Sequence, residues 1–143
     1  MSSDSPSANP SKLRILLVED EPTLIDLYTV ALKSLGPVEH RGNGQEAMQY
    51  VHDHVEQLPD VVLLDLIIPE HPAVSLDFND RWGFHVLEAI RTHKEYDTVP
   101  VFVMTNLDSA EDRTMASSLG ARAYIVKSNV IPKQIVELIQ GAL

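Results

Sequence analysis

Hydrophobic and polar positions repeat one pattern five times along the chain: a short apolar run, and then a stretch with apolar residues at helical spacing. The apolar runs are typical of strands buried in a parallel sheet, and they lie at 13–18, 38–40 (the weakest), 61–64, 99–104 and 123–126. The helical stretches lie at 21–35, 45–57, 83–92, 109–119 and 131–142. Strict alternation of this kind predicts an α/β fold, a doubly wound five-stranded parallel sheet with helices on both faces.

One connection departs from the regular pattern. The first, third and fourth apolar runs are the most continuous, so we expect them in the middle of the sheet. After the third run, however, residues 70–82 separate Pro69 from Gly83, where such units usually need about 2–6 residues. We interpret 70–82 as a long inserted loop. It is either a lid or partner-contact loop, or a surface loop held down by Phe78 and Trp82.

Composition narrows the class of protein. The chain has 143 residues, which fits one domain; we expect 1–11, rich in Ser and Pro, to be a disordered tail and 12–143 to fold. With 11 Lys and Arg against 21 Asp and Glu, the net charge of −10 argues against direct binding to nucleic acid or a membrane surface. No cysteine is present. No apolar stretch approaches the roughly 20 residues of a membrane span, so we predict a cytoplasmic protein.

Polar residues follow four of the five apolar runs, at the strand ends where parallel sheets bind ligands. They are Glu19, Asp20 and Glu21 after the first run, Asp65 after the third, Thr105 after the fourth and Lys127 after the fifth. Two carboxylates about 4 Å apart repel by roughly 4 kcal/mol at an effective dielectric near 20. We therefore expect these four acids to place −4 in one cleft, countered by Lys127 and by Mg²⁺, the cation that hard oxygen ligands favour.

Four stretches together resemble the receiver domain of two-component response regulators, from about residue 12 to residue 143. They are ILLVEDEP at 15–22, DVVLLDLIIP at 60–69, VFVMT at 101–105 and GARAYIVK at 120–127. The resemblance implies the flavodoxin-like (βα)5 receiver fold. Because the fifth helix is the last element of this sequence, we expect a stand-alone, single-domain receiver whose output is protein binding.

The same resemblance implies that Asp65 is a phospho-acceptor. A sensor histidine kinase, a phosphotransfer protein or a small phosphodonor would supply the phosphoryl group, and a carboxylate can take it as an acyl phosphate. The family's Mg²⁺ would then be held by Asp65, by Asp20 directly, by Glu19 through water and by the backbone carbonyl of Ile67. The chain would catalyse only its own phosphorylation and dephosphorylation.

The remaining implied roles concern the response to phosphorylation. Lys127 and Thr105 would contact phosphoryl oxygens, and Tyr124 would change rotamer together with Thr105. The altered surface, formed by the fourth helix, fifth strand and fifth helix, would then meet a downstream target protein. A homodimer is compatible with this interpretation.

Two positions depart from the family pattern and leave other interpretations open. Ser128 follows Lys127 where the family usually has proline, often after a cis peptide bond, and Asn106 follows Thr105 where a small residue is usual. A phosphorylation-independent receiver-like interaction module is therefore one alternative. A Mg²⁺-dependent phosphohydrolase of the haloacid-dehalogenase kind is a weaker one, because such enzymes need a second Asp at the position held here by Ile67.

Overall fold

Five short apolar segments form one parallel sheet in the computed structural model, which describes residues 12–74 and 80–143. The strands are β1 (Ile15–Val18), β2 (Val38–Arg41), β3 (Val61–Asp65), β4 (Val101–Thr105) and β5 (Ala123–Val126). Their spatial order is β2-β1-β3-β4-β5, and every neighbouring pair is parallel. The prediction that the first, third and fourth apolar runs lie in the middle is thus confirmed. The predicted tail at 1–11 and Phe78 lie outside the described residues.

Five helices connect and follow these strands. They are α1 (Pro22–Leu32), α2 (Gly44–Asp53), α3 (Trp82–Thr92), α4 (Ala110–Ser118) and α5 (Pro132–Ala142). Short 3-10 turns occupy Lys94–Tyr96 and Lys127–Asn129. The predicted α/β fold is confirmed, but two helices end early: α1 stops at Leu32, and α2 stops at Asp53 because His54 leaves the helical dihedral angles (φ −111°, ψ 25°).

The core consists of two layers, one on each face of the sheet. Alternate strand residues point to opposite faces, so β1 buries Leu16 and Val18 on one side and Ile15 and Leu17 on the other. Helices α2, α3 and α4 cover the first face, whereas α1 and α5 cover the second. Burial on both faces explains why the strands have continuous apolar runs rather than alternating ones.

The strand register brings the predicted site residues to one edge. Val18 of β1 pairs with Leu64 of β3, so the residue that follows each, Glu19 or Asp65, lies at the same level. In the same way Thr105 of β4 pairs with Val126 of β5, directly before Lys127. The carboxyl ends of β1, β3, β4 and β5 therefore meet as expected from the chain order.

The long β3–α3 connection is anchored to α2 near its start. The backbone N–H groups of Gly44 and Gln45, in the first turn of α2, donate to the carbonyls of Pro69 (2.9 Å) and Glu70 (2.8 Å). Trp82, which begins α3 one residue before the predicted start, lies so close to Gly44 that a Cβ there would come within 2.4 Å of the indole ring. Trp82 thus packs closely against the first turn of α2, and both interpretations of 70–82 stay predictions.

The α-helices within residues 12–74 and 80–143 have 9 to 11 residues each. None of them is long and apolar enough to cross a membrane.

Candidate functional site

Lys127 joins the ends of three strands. Its Nζ donates to Glu19 Oε1 at 2.5 Å and to Asp65 Oδ2 at 2.7 Å. Lys127, Glu19 and Asp65 are all buried, with 9%, 1% and 7% of their surfaces exposed. Glu19 and Lys127 directly follow β1 and β5 and Asp65 ends β3, so the parallel register places an ion-paired triad at the carboxyl edge of the sheet.

The second oxygen of each buried carboxylate is also fixed by the backbone. Asp65 Oδ1 accepts the N–H of Ile67 at 3.0 Å. Glu19 Oε2 accepts the N–H groups of Asp20 at 3.1 Å and Glu21 at 3.2 Å. Both carboxylates are therefore held in one orientation, as a site that positions a reacting group requires.

Asp20 completes a group of three carboxylates. One oxygen from each of Glu19, Asp20 and Asp65 lies within 4.8 Å of the others. An oxygen-only donor set suits a hard divalent cation such as Mg²⁺. When ionised, the three acids and Lys127 sum to −3 + 1 = −2, a charge that one divalent cation would balance. The residues present therefore fit Mg²⁺, while coordination by the Ile67 carbonyl stays a prediction.

The charges of this group perturb one another. Burial raises the pKa of Asp65 to about 7; Lys127 opposes the rise, and the negative charge of Glu19 adds to it. Burial and the charge of Glu19 also raise the pKa of Asp20. Burial by itself would lower the pKa of Lys127, but Asp65 and Glu19 together raise it above its ordinary value. Lys127 thus stays protonated, while the carboxylates repel one another.

A cavity of about 200 Å³ opens onto these groups, and all four acids expected in one cleft line it. The cavity is lined by Glu19, Asp20, Glu21, Leu24, Asp65, Ile67, Asn106, Leu107 and Lys127. Glu21 borders it, but its carboxylate caps α1 by accepting the N–H groups of Thr23 (3.2 Å) and Leu24 (3.0 Å). All four acids therefore line one cleft, and the three other than Glu21 form the group that could hold a cation.

Thr105 and Tyr124 meet through the backbone of Leu107. The N–H of Leu107 donates to Thr105 Oγ1 at 3.3 Å, and its carbonyl accepts the hydroxyl of Tyr124 at 2.6 Å. Thr105 is fully buried and Tyr124 is half-buried. The sequence gives no signal for Leu107, because it acts through main-chain groups that every residue type shares.

The two departures from the family pattern take ordinary positions. Over 12–74 and 80–143 no peptide bond is cis, so Ser128 follows Lys127 in the common trans form, inside the 3-10 turn Lys127–Asn129. Asn106 is exposed at the mouth of the cavity. Neither residue interrupts the contacts of Lys127 or Thr105.

Comparisons with known proteins agree with this geometry. A family model described as "Response regulator receiver domain" matches residues 15–140. The transcriptional regulatory protein TrcR of Mycobacterium tuberculosis is 34% identical over 137 residues, covering 95% of this chain and 47% of its own length. The DNA-binding response regulator MtrA of Mycolicibacterium smegmatis is 28% identical over 131 residues, covering 91% and 50%. The chain thus spans about half the length of these relatives.

Solved structures share the fold over almost the whole chain. The phosphorylated cyanobacterial phytochrome response regulator RcpA matches with a TM-score of 0.70 and 27% identity, covering 91% of this chain and 90% of that protein. Together with the sheet order, this likeness confirms the flavodoxin-like receiver fold that the sequence predicts.

Proposed function

The chain belongs to the response regulator receiver domain family of two-component signalling, and on that basis we propose that Asp65 is its phospho-acceptor. A sensor histidine kinase or a phosphotransfer protein supplies the phosphoryl group. The phosphorylated domain then signals through altered contacts with other proteins. Beyond its own phosphorylation and dephosphorylation, the domain carries out no reaction.

The observation that carries this proposal is the triad of Lys127, Glu19 and Asp65. In the transfer, an oxygen of Asp65 attacks phosphorus, and the bond from phosphorus to the donor nitrogen or oxygen breaks with its electron pair on the donor. The carboxylate then loses its charge in the new mixed anhydride. Lys127 is free to exchange its 2.7 Å contact with Asp65 for a phosphoryl oxygen, and Thr105 supplies a hydroxyl to another.

Mg²⁺ is the cofactor that the acidic group supports. Asp20, Glu19 and Asp65 would hold it, with the Ile67 carbonyl completing the share of the protein. When bound, the ion neutralises charge between the carboxylates and the phosphoryl oxygens. Glu19 would keep its backbone and Lys127 contacts, and Asp65 would keep the N–H of Ile67, so the site stays oriented.

In this proposal the phosphorylated domain signals through its protein-binding surface. Thr105 and Tyr124 share Leu107, so a shift of Thr105 toward a phosphoryl group alters the Tyr124 hydroxyl contact and the α4–β5–α5 face. A downstream protein binds there, or a second copy in a homodimer. The net charge of −10 supports protein partners over direct nucleic-acid contact by this domain. We also assign the domain to the cytoplasm.

Intact-mass spectrometry tests the proposal. Acetyl phosphate and Mg²⁺ should add the mass of one phosphoryl group to the wild type and to Asp26→Asn, a control that removes an exposed acid of α1. Asp65→Asn should gain nothing, since an amide cannot form the anhydride. An adduct that persists on Asp65→Asn, or none on the wild type, would contradict the assignment.

A further inference from the structure

The long β3–α3 connection ends on a residue that reaches α4. Arg81, directly before α3, donates from Nε to Asp112 Oδ2 at 3.0 Å. Asp112 lies in the first turn of α4 and is only 9% exposed, although its neighbour Glu111 is exposed. The carboxylate of Asp112 is thus turned inward toward the connection, and an acid that loses its partner there keeps a costly, poorly solvated charge.

Two residues after Arg81, the chain packs against the backbone of Asp65, the proposed phospho-acceptor. Gly83, two residues later, donates its N–H to the carbonyl of Leu66 at 3.0 Å. A Cβ on Gly83 would lie 2.3 Å from the carbonyl oxygen of Asp65 and 2.5 Å from the Cα of Leu66. The start of α3 therefore packs directly against the end of β3.

On the other side, Asp112 belongs to the turn that encloses Tyr124. The N–H of Asp112 donates to the helix-capping Ser109 Oγ at 3.3 Å, and Arg113 lies over the Tyr124 ring, 4.7 Å from its centre. Burial and then the negative charge of Asp112 raise the pKa of the Tyr124 hydroxyl. Asp112 is thus electrostatically near the group that donates to Leu107.

We propose that Arg81 is a positioning residue that links Asp65 to α4 by a second route, through Gly83, Arg81 and Asp112. This route deepens and rests on the proposed function. The Thr105–Leu107–Tyr124 contacts meet the same helix turn through Arg113, which lies over the Tyr124 ring. A change at the end of β3 reaches α4 through this ion pair.

The ion pair can be removed from either end, so the coupling can be tested separately at each element. Arg81→Gln breaks it at the connection, and Asp112→Asn breaks it at α4. Glu111→Gln is the matched control, since it removes an exposed carboxylate from the same helix turn. Arg81→Lys keeps a cation within reach of Asp112 and should restore part of the coupling.

Two measurements on the full chain test the route. Hydrogen exchange in the first turn of α4 should accelerate about tenfold in Arg81→Gln and Asp112→Asn without ligand, the double variant should add little, and Glu111→Gln should match the wild type. Trp82, the only tryptophan and the neighbour of Arg81, reports the response. Its emission should change when beryllofluoride and Mg²⁺ bind the wild type, change less than half as much in Arg81→Gln, and recover partly in Arg81→Lys.

The outcomes separate this inference from the proposed function. A beryllofluoride adduct on Arg81→Gln with unaltered α4 exchange and an unaltered Trp82 response would overturn the second route alone. Failure of the wild type to bind beryllofluoride, seen by intact mass, would overturn the proposed function and the second route together.

Discussion

Two cations at opposite ends of the sheet have contrasting surroundings. At the carboxyl edge, Lys127 lies between the carboxylates of Glu19 and Asp65, and its pKa is raised. At the amino edge, the guanidinium of Arg91 donates to backbone carbonyls, and burial lowers its pKa. Its acceptors are the carbonyls of Tyr96 (2.9 Å), Val99 (3.2 Å) and Gly120 (2.9 Å).

The difference separates a functional centre from a structural one. Arg91 ties three chain segments together through neutral groups, so its contribution should not depend on metal ions or on mild changes of pH. Lys127 holds acids that repel each other, and the excess negative charge around it favours a divalent cation or a reaction that removes charge from Asp65. The hydrogen bonds of Arg91 to neutral groups thus lie at the amino edge of the sheet, and the carboxylates that repel one another lie at its carboxyl edge.

Removal of Lys127 should have the largest effect on stability. Lys127→Met leaves Glu19 and Asp65 buried without their cation, which should lower the free energy of unfolding by about 3–5 kcal/mol at pH 8. The loss should shrink below pH 6, because protonation of Asp65 removes one of the unpaired charges. Urea denaturation at both pH values, with Lys133→Met on the exposed side of α5 as control, measures it. An equal loss at both pH values would contradict the comparison.

The pH dependence of stability should show the raised pKa of Asp65. Its folded pKa of about 7 lies above the ordinary 3.8, so the folded state binds more protons between these values. Stability should therefore fall as pH rises from 4 to 7, with Asp65 responsible for about 2–4 kcal/mol.

Asp65→Asn removes this titration, so its unfolding free energy should fall less than that of the wild type over the same range. Chemical denaturation of both proteins at several pH values provides the test. If the wild type minus Asp65→Asn difference stayed constant with pH, Asp65 would not be the acid whose pKa is raised.

Removal of Arg91, at the amino edge of the sheet, should have the smallest effect on stability. Arg91→Met removes three hydrogen bonds from a charged donor and should lower the free energy of unfolding by about 1–3 kcal/mol. Unlike the effect at Lys127, it should be the same at pH 6 and pH 8, and Mg²⁺ should not alter it. Thermal unfolding measures the loss in Arg91→Met, and Arg122→Met, a change at an exposed position, is the control. A Mg²⁺-dependent loss in Arg91→Met would erase the distinction between the two edges.

The sequence predicts the elements that depend on local pattern. Continuous apolar runs such as Ile15–Val18 indicate central strands because both faces of the sheet are covered. The polar residues that follow the strands, among them Asp65 and Lys127, converge because parallel strands end at one edge. That alignment is a property of chain order, so it can be foreseen without coordinates.

Other features depend on contacts that no local pattern encodes. Glu21 lines the cleft as expected, but its carboxylate also caps α1. Arg81 and Asp112 are 31 residues apart in the sequence and meet only in the folded chain. Leu107 acts through its main chain. Each depends on tertiary geometry, which composition and periodicity leave undetermined.

The most direct test of the central claim locates the phosphoryl group on the chain. Protein treated with acetyl phosphate and Mg²⁺ is reduced with borohydride, which converts an aspartyl phosphate to homoserine, and its peptides are sequenced by tandem mass spectrometry. The account predicts homoserine at position 65, and none when acetyl phosphate is omitted. Homoserine at Asp20 or another aspartate, with residue 65 unmodified, would contradict it.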